Sequence, residues 1–554
     1  MLTTRVHFGV AQIHKTVVAF GLAGCLAVLP AFAHAQNSPN VANGIAPAEK
    51  CGDLVSLKIP DSGMKITKAE AVPLSPPNTV RPNPFVPFPI PVAIPSYCRA
   101  EGVIDERVGA EGKPYAIGFA IALPDSWSGQ FLFQGGAGLN GTILPPYGTN
   151  AAGDTPALSR GMAIVSTDTG HKGAVFDFSF MKDQQAGLDF AQAAVGRVTV
   201  IAKQIIAHYY GQPAKRSYFS GCSTGGREAM LVSQRYPREF DGVVSGDPAM
   251  NTGYSNLGLA WAAVMFNQIA PKDSSGKPLP SQDYSASDRK LLIDSLLQAC
   301  DTADGVKDGM IFNLAACRYD PAVLTCKGPK TDSCLTPQQV DAMKKAFGGP
   351  KDSRGHQVYE PFPYDTGVAV DSPMSIPGFL PASGGFSPFA PNLSLKINVD
   401  ERQMAVDADA QQMLTDTNKW TNLSTFSGHG GKLLFYHGTS DPWFSALATF
   451  GYYEKLMSNN GGEDQVRGWS RFYFVPGMGH CGGGPATLDN FDLLTAVVNW
   501  VEKGTAPDLV IATGRAFPGR SRPLCAYPYY AHYKGQGNSE DAANFECRRG
   551  EPIQ

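Results

Sequence analysis

The pattern of apolar and polar positions predicts strands and helices that alternate along most of the chain. Short apolar runs bounded by turn residues predict strands over residues 117–123, 130–134, 161–168, 216–221, 240–248, 431–438 and 469–475. Helical periodicity predicts helices over residues 187–210, 228–236, 444–457 and 488–503. This alternation is typical of the α/β class, in which helices cover both faces of a mostly parallel sheet.

The pattern changes between residues 252 and 425. Helices are predicted there over residues 257–267, 286–300 and 337–347. They alternate with long loops rich in Gly, Pro and Ser, such as residues 373–391. We therefore expect one inserted lid domain over 252–425. It divides an α/β domain into a first part over 36–251 and a second part over 426–554.

The first 35 residues predict an export signal. An apolar core over 17–29 follows two basic residues and precedes the small-residue site Ala33-His34-Ala35. The core is too short for a membrane span, so we expect cleavage after Ala35 and a secreted or periplasmic protein. Cys25 lies in a stretch that resembles a bacterial lipoprotein box, which leaves an outer-membrane lipoprotein as the alternative.

The composition and net charge indicate which kind of fold and which binding partners to expect. The chain has 554 residues, of which 43% are hydrophobic, enough for one large elaborated domain or for two. A formal net charge of −3 gives no reason to expect nucleic acid or an anionic membrane as a partner. The 60 Gly and 43 Pro indicate many loops, which suits an enzyme with insertions better than a helical bundle.

The cysteines predict disulfides. Removing the signal takes away Cys25 and leaves ten of eleven, an even number in an exported chain. Zinc is the alternative, but the chain contains no C-x-x-C pair. Proximity along the sequence pairs Cys51 with Cys98, Cys300 with Cys317, Cys326 with Cys334 and Cys525 with Cys547, and leaves Cys222 for Cys481.

A Gly-x-Ser-x-Gly turn over 221–225 joins a predicted strand to a predicted helix. This context is that of a nucleophile elbow, in which glycines let strand and helix approach closely around a strained serine. Ser223 would be the nucleophile, and the backbone N–H of Thr224 would bind an oxyanion. The glycine-rich loop over 135–141 follows an early strand, where hydrolases place the second oxyanion donor. An ordinary glycine-rich turn is the alternative.

Candidate partners for Ser223 follow it in the order that α/β-hydrolases use. Asp441 and His480 each lie on a loop after a predicted strand, and they would complete a Ser-His-Asp triad. His171 and His437 are competing histidines. Cys222 precedes the serine and Cys481 follows His480, so a disulfide between them would place His480 beside the nucleophile.

Three carboxylates lie within eight residues at Asp301, Asp304 and Asp308, with glycines that allow tight turns. Such a loop can supply oxygen ligands to a hard cation such as Ca²⁺, although its spacing is not that of an EF-hand. A solvated acidic loop is the alternative.

Taken together, these motifs resemble those of the tannase/feruloyl esterase family of α/β-hydrolases. The resemblance covers nearly the whole mature chain and rests on residues 221–228, 436–441, 475–485 and 527–547. It implies an α/β-hydrolase fold with a large inserted lid, and a serine esterase that acts on aromatic acid esters.

The resemblance also implies roles for particular residues. The oxyanion donors would be the backbone N–H groups of Gly138 and Thr224, and Phe444 would form an aromatic wall for the acyl ring. A structural Ca²⁺ would be held by the side chains of the three Asp residues and by the backbone carbonyls of Val306 and Met310.

The substrate is less well defined by the sequence. Feruloyl, hydroxycinnamoyl or galloyl esters are expected, with terephthalate monoesters as the alternative. Family members that act on those monoesters hold the free carboxylate with a lid arginine, whereas residues 355–430 contain only Arg402. A non-catalytic binding protein and a serine peptidase of the same fold are the other classes considered.

Overall fold

A nine-stranded mixed sheet forms the centre of the described molecule. The computed structural model describes residues 44–84, 86–369 and 392–553. The predicted signal, Cys25 and the loop at 373–391 lie outside them. The strands are β1 (Met64–Val72), β2 (Tyr97–Val108), β3 (Pro114–Pro124), β4 (Gln130–Gln134), β5 (Ala163–Thr167), β6 (Arg216–Cys222), β7 (Gly242–Gly246), β8 (Lys432–Gly438), β9 (Ser470–Val475), β10 (Leu509–Thr513), β11 (Ser521–Cys525), β12 (Tyr529–Tyr533) and β13 (Phe545–Arg549).

The strand order defines the fold. It runs β1-β2-β3-β5-β4-β6-β7-β8-β9. The first three strands and the β3–β5 pair are antiparallel, and every later neighbour is parallel. Parallel strands run in the same direction, so the carboxyl ends of β4, β6, β8 and β9 lie at the same edge of the sheet. The loops that carry the candidate site residues leave the strands at this edge. This is the predicted α/β-hydrolase fold.

Twelve α-helices lie in the described part of the chain. They are α1 (Gln184–Leu188), α2 (Ala194–Tyr210), α3 (Thr224–Arg235), α4 (Thr252–Ile269), α5 (Ala286–Cys300), α6 (Pro337–Phe347), α7 (Val399–Ala408), α8 (Ala410–Thr415), α9 (Ser424–Gly428), α10 (Ala446–Asn459), α11 (Glu463–Arg467) and α12 (Leu493–Lys503). A π-helical turn joins α1 to α2. The helix predicted over 488–503 begins at Leu493, five residues later than expected. The Asp492 side chain caps this end by accepting a hydrogen bond from the Thr495 N–H.

The two faces of the sheet are packed against separate apolar clusters. Neighbouring residues of a strand point to opposite faces, and the parallel strands are buried on both. One cluster contains Phe131, Phe133, Phe219, Val243, Leu433, Phe435 and Phe472. The other contains Leu132, Tyr218, Val244, Leu434, Tyr436 and Tyr473. Burial on both faces explains why these strands are continuous apolar runs in the sequence.

The chain between β7 and β8 contains helices α4 to α9 and, in its described part, contributes no strand to the large sheet. Helix α4 packs against α6 and α7. We call this segment, residues 247–431, the insertion. None of the described helices is long and apolar enough to cross a membrane.

The elbow depends on close backbone contact. A Cβ built on Gly221 would lie 2.5 Å from the backbone carbonyl carbon and oxygen of Gly225, far inside van der Waals contact. We expect Gly221→Ala to destabilise the protein by about 1–3 kcal/mol through overpacking, measured as a lower thermal unfolding midpoint. Gly428→Ala is the control, since open space surrounds that position. Equal midpoints for the two variants would contradict the prediction.

Candidate active site

Ser223 lies in a strained turn between β6 and α3. Its backbone has φ 63° and ψ −122°, outside the regions that non-glycine residues normally occupy. The turn is held by the Ser223 N–H, which donates to the Gly246 carbonyl at 3.0 Å. The Ser223 carbonyl in turn accepts from the Arg227 and Ala249 N–H groups, both at 3.0 Å. These bonds fix the hydroxyl-bearing residue at the carboxyl edge of the sheet.

Asp441 and His480 lie on the loops that follow β8 and β9. The His480 Nδ1 is 2.7 Å from the Asp441 Oδ2, and both side chains are buried. The other carboxylate oxygen accepts from the Trp443 and Phe444 N–H groups at 2.8 and 3.1 Å. Burial alone would raise the pKa of Asp441, but the charge and hydrogen bond of His480, helped by His437, hold that pKa well below its usual range.

The second ring nitrogen of His480 lies at the cavity that also reaches Ser223. This Nε2 is buried and makes no hydrogen bond. The acid–base link of the predicted triad is therefore formed, whereas the base–nucleophile bond is not made in this conformation. Hydrogen bonds between a base and a nucleophile often form fully only in the complex with substrate, so the role of His480 as base stays a prediction.

A disulfide joins the neighbours of the nucleophile and the histidine. Cys222 and Cys481 are bonded with a Cα separation of 5.9 Å across 259 residues of sequence. The structure also contains the other four predicted pairs, Cys51–Cys98, Cys300–Cys317, Cys326–Cys334 and Cys525–Cys547. The Cys222–Cys481 disulfide therefore joins the turn that carries Ser223 to the loop that carries His480.

The loop after β4 lies against the start of α3. The Thr224 hydroxyl donates to the Gly138 carbonyl, and the Gly225 N–H donates to the Gly136 carbonyl at 3.1 Å. Gly138 has φ 56°, and a Cβ there would meet Val175. These contacts bring the backbones of the two predicted oxyanion donors, Gly138 and Thr224, together at the cavity.

Glu228, the last residue of the 221–228 motif and one to which no role was assigned from the sequence, braces this loop. Its carboxylate accepts from the Gly136 N–H at 3.0 Å and from the Asn140 side-chain amide at 2.7 Å. Burial raises its pKa, an effect that Arg227 and these two donors offset in part. A charged side chain within a helix that the pattern predicts to pack against the sheet is a signal in the sequence that could have marked it.

A cavity of about 590 Å³ opens over Ser223 and His480. Phe444 lines it, with its ring centroid 5.2 Å from that of His480. Trp443, which sequence reasoning missed, lies at 4.9 Å from the same imidazole and meets Phe176 edge-on. The cavity is therefore walled by aromatic rings beside the base, an environment suited to a flat ring.

The two competing histidines have other partners. His171 is stacked on Phe180 at 3.6 Å, and burial lowers its pKa to about 4. His437 is fully buried behind the acid loop, where its Nε2 donates to the Phe444 carbonyl at 2.9 Å and lies 3.3 Å from Asp441. His437 is therefore a second imidazole beside Asp441 and does not line the cavity.

Asp247 is a further buried carboxylate behind the triad. It accepts from the Gly438 N–H at 2.8 Å and lies 3.5 Å from His437. Burial raises its pKa to about 6, against the opposing effect of His437. Asp441, by contrast, stays ionised because it has two imidazoles as neighbours.

The acidic loop forms a separate feature in the insertion. Asp301, Asp304 and Asp308 all have buried side chains. The Asp301 carboxylate accepts from the Asp308 and Gly309 N–H groups, and Asp308 pairs with Arg522 at 2.5 Å.

The donor set of this loop fits a hard cation. The Asp304 Oδ2 is buried and makes no hydrogen bond. Burial, followed by the charge of Asp308, raises the pKa of Asp304 to about 7. A buried carboxylate oxygen without a partner, with two further carboxylates in the same loop, would be stabilised by a divalent ion that takes oxygen ligands.

Comparison with known proteins places the chain in a family. Residues 98–375 and 388–548 match the family model described as tannase and feruloyl esterase. The mono(2-hydroxyethyl) terephthalate hydrolase of Piscinibacter sakaiensis is 37% identical, over 82% of this chain and 85% of that protein. The crystal structure of feruloyl esterase B from Aspergillus oryzae has a TM-score of 0.71 at 26% identity, covering 90% of this chain and 99% of that one.

The fold is shared more widely. The tannin acyl hydrolase of Aspergillus niger has a TM-score of 0.64 at 20% identity, covering 92% of this chain and 94% of that chain. The chain has the α/β-hydrolase fold and belongs to the tannase and feruloyl esterase family. It is a carboxylic ester hydrolase.

The disulfide beside the site gives a test. In the chain-entropy model, closing a loop of 259 residues is worth roughly 5 kcal/mol, against about 2.5 kcal/mol for the loop of 8 between Cys326 and Cys334. We expect Cys222→Ala with Cys481→Ala to lower both the free energy of unfolding and kcat on p-nitrophenyl acetate. Cys326→Ala with Cys334→Ala should lose less stability and keep its kcat. The reverse order would show that the first bridge does not organise the site.

Proposed function

We propose that the protein is a serine esterase that cleaves hydroxycinnamoyl or galloyl esters through Ser223, His480 and Asp441. The observation that supports this most directly is the buried 2.7 Å contact between His480 and Asp441, at a cavity that also reaches the strained Ser223. The order of the three residues along the chain and the strand ends that carry them agree with this assignment.

The reaction has two halves. His480 Nε2 takes the proton of the Ser223 hydroxyl as its oxygen attacks the ester carbonyl, and Asp441 stabilises the imidazolium. The backbone N–H groups of Gly138 and Thr224 bind the tetrahedral oxyanion. The imidazolium returns its proton to the departing alcohol, which leaves an acyl-enzyme on Ser223. A water molecule then attacks the acyl carbonyl with His480 as base, releasing the acid and restoring the serine.

The charged side chains that line the cavity favour a substrate whose acyl ring carries neutral substituents. Among the described residues that line the cavity, Arg227 is the only one with a guanidinium group. This side chain is buried, and its two terminal nitrogens donate hydrogen bonds to the Ala191 and Phe190 carbonyls. Asp489 adds a negative group to the lining. The polar residues that helices α4 and α8 contribute are uncharged: Thr252, Asn256, Gln411, Gln412 and Thr415. Residues 370–391 contain no Lys, Arg or His.

Terephthalate monoesters are the second candidate, favoured by the 37% identity to the hydrolase whose name states that substrate. A free carboxylate at the far end of the ring would find no cation free to pair with it among the described residues that line the cavity. Burying an unpaired charge is costly, so we rank these substrates below hydroxycinnamoyl and galloyl esters.

We also infer that the protein is exported and carries one structural Ca²⁺. Five disulfides support an oxidising compartment, secreted or periplasmic. The ion would be held by the side chains of Asp301, Asp304 and Asp308, with the carbonyls of Val306 and Met310. Its role would be to neutralise the acidic loop and brace the insertion between Cys300 and Cys317.

A substrate panel tests the proposed chemistry. We expect Ser223→Ala to lose at least about 10⁴-fold in kcat on methyl ferulate and methyl gallate, as expected for a lost nucleophile. In wild type, kcat/KM for monomethyl terephthalate should fall at least about 10-fold below that for its neutral match, methyl 4-(hydroxymethyl)benzoate. Undiminished turnover by Ser223→Ala would refute the serine mechanism. Preference for the carboxylate substrate would reverse the ranking.

Calcium binding is tested by stability. Chelation by EGTA should lower the thermal unfolding midpoint, and added Ca²⁺ should restore it, since a ligand at 100 times its Kd stabilises by about 2.7 kcal/mol. Asp304→Asn should abolish the response and the binding seen by equilibrium dialysis. Asp332→Asn, an exposed acidic residue outside the loop, is the matched control. An EGTA-insensitive wild type that binds no Ca²⁺ would disprove the site.

A further inference from the structure

A buried carboxylate of the insertion lies between the two loops that carry the acid and the base. We call residues 439–445 the acid loop and residues 476–481 the histidine loop. Asp365 is 1% exposed. Its Oδ2 accepts hydrogen bonds from the Thr439 hydroxyl of the acid loop and, at 2.7 Å, from the Gly477 N–H of the histidine loop. One side-chain oxygen thus joins both loops.

The residues around Asp365 extend this contact along the acid loop. The Gly367 N–H donates to the Ser440 hydroxyl at 3.0 Å. At the other end of the loop, the Ser445 N–H donates to the Tyr359 hydroxyl at 3.0 Å. The insertion therefore contacts the loop on both sides of Asp441.

The two loops also contact each other directly. The Thr439 N–H donates to the Val475 carbonyl at 3.1 Å, and the Ser440 N–H donates to the Met478 carbonyl at 2.9 Å. The Gly477 N–H reaches the Thr439 hydroxyl as well, at 3.1 Å. Asp365 closes this arrangement with an anionic acceptor, and hydrogen bonds to charged acceptors are roughly twice as strong as neutral ones.

Burying the Asp365 carboxylate costs free energy, which its hydrogen bonds must offset. Burial raises its pKa, and donors on Thr439, Gly477 and Thr366 oppose that effect. These donors are neutral N–H and O–H groups, so the carboxylate is held by directed hydrogen bonds and not by a salt bridge. Hydrogen bonds need their donors at particular distances and angles, so these bonds orient the groups that make them.

We propose that Asp365 is a positioning residue of the triad: by joining Thr439 to Gly477 it fixes the separation of Asp441 and His480. The proposal rests on the proposed function, since it assumes that these two residues act together. The insertion is then part of the catalytic framework as well as a wall of the cavity. Asp365 itself does not line the cavity and would not touch substrate.

Substitutions at both ends of the bond test this role. Asp365→Ala should lower kcat on methyl ferulate about 100-fold, the loss expected from a misplacement of about 1 Å, and change KM less than about three-fold because no cavity contact is lost. Thr439→Val should lower kcat about 10-fold, and Thr439→Ser, which keeps the hydroxyl, should restore it. The downfield ¹H NMR resonance of the His480 Nδ1–H should weaken in the first two variants.

The controls separate positioning from general stability. Asp352 is another buried carboxylate of the insertion, and its oxygens accept from Arg354 and His356 within one local turn. Asp352→Ala should lower the unfolding midpoint and leave kcat and the NMR signal unchanged. If Asp365→Ala does not fold, Thr439→Val becomes the test of the positioning role, because it removes one hydroxyl and leaves a side chain of nearly the same volume.

The outcomes are distinct from those that test the triad. Wild-type kcat and an unchanged His480 resonance in Thr439→Val and Asp365→Ala would overturn the positioning role while Ser223→Ala remained inactive. Full activity of Ser223→Ala would instead remove the proposed function on which the inference rests. Loss of activity in Thr439→Ser equal to that in Thr439→Val would also count against the proposal, because the hydroxyl would then be irrelevant.

Discussion

The active site depends on the contact of three backbones without side chains between them. A Cβ on Gly135 would lie 2.6 Å from the Cα of Gly225 and 3.1 Å from that of Gly221. The ends of β4 and β6 and the start of α3 can meet this closely only because all three positions are glycine. This contact places Ser223 and the loop that contains Gly138 at the same cavity. The loops after β8 and β9 then need only to reach the same edge of the sheet.

The buried carboxylates near this contact divide into two kinds according to the direction in which their pKa values are shifted. Glu228, Asp247 and Asp365 are buried carboxylates whose pKa values are raised by burial, and each holds a loop through backbone or hydroxyl donors. Asp441 alone among these has its pKa lowered, because two imidazoles lie beside it. The site therefore keeps its permanent negative charge at the place where a cationic His480 would form, and uses the other carboxylates for geometry.

The sequence predicted those features that depend on local signals. Helices α5 and α6 have the expected bounds because each begins with a capping box, Ser285 with Asp288 and Thr336 with Gln339. The elbow, the strand ends and the cysteine pairs were also foreseeable from spacing.

The remaining features depend on contacts between distant parts of the chain. Asp365 meets a hydroxyl 74 residues away and a backbone N–H 112 residues away, and nothing next to it in the sequence marks that meeting. Trp443 was missed because its place beside His480 depends on how two loops converge. The calcium ligands and the oxyanion donors stay predictions, because they are assigned by resemblance and by the chemistry of their oxygen and N–H groups.

The order of the cysteines along the chain has a consequence for biogenesis. Cys222 emerges from the ribosome 259 residues before Cys481, and four other cysteines are made between them. Those four form pairs separated by only 17 and 8 residues, whose ends meet far more readily because short loops cost less entropy to close. Early closure of the local bridges would leave Cys222 with fewer competing partners. The bridge between Cys222 and Cys481 must in any case wait until the chain has been made as far as Cys481, and only the Cys525–Cys547 pair is synthesised after it.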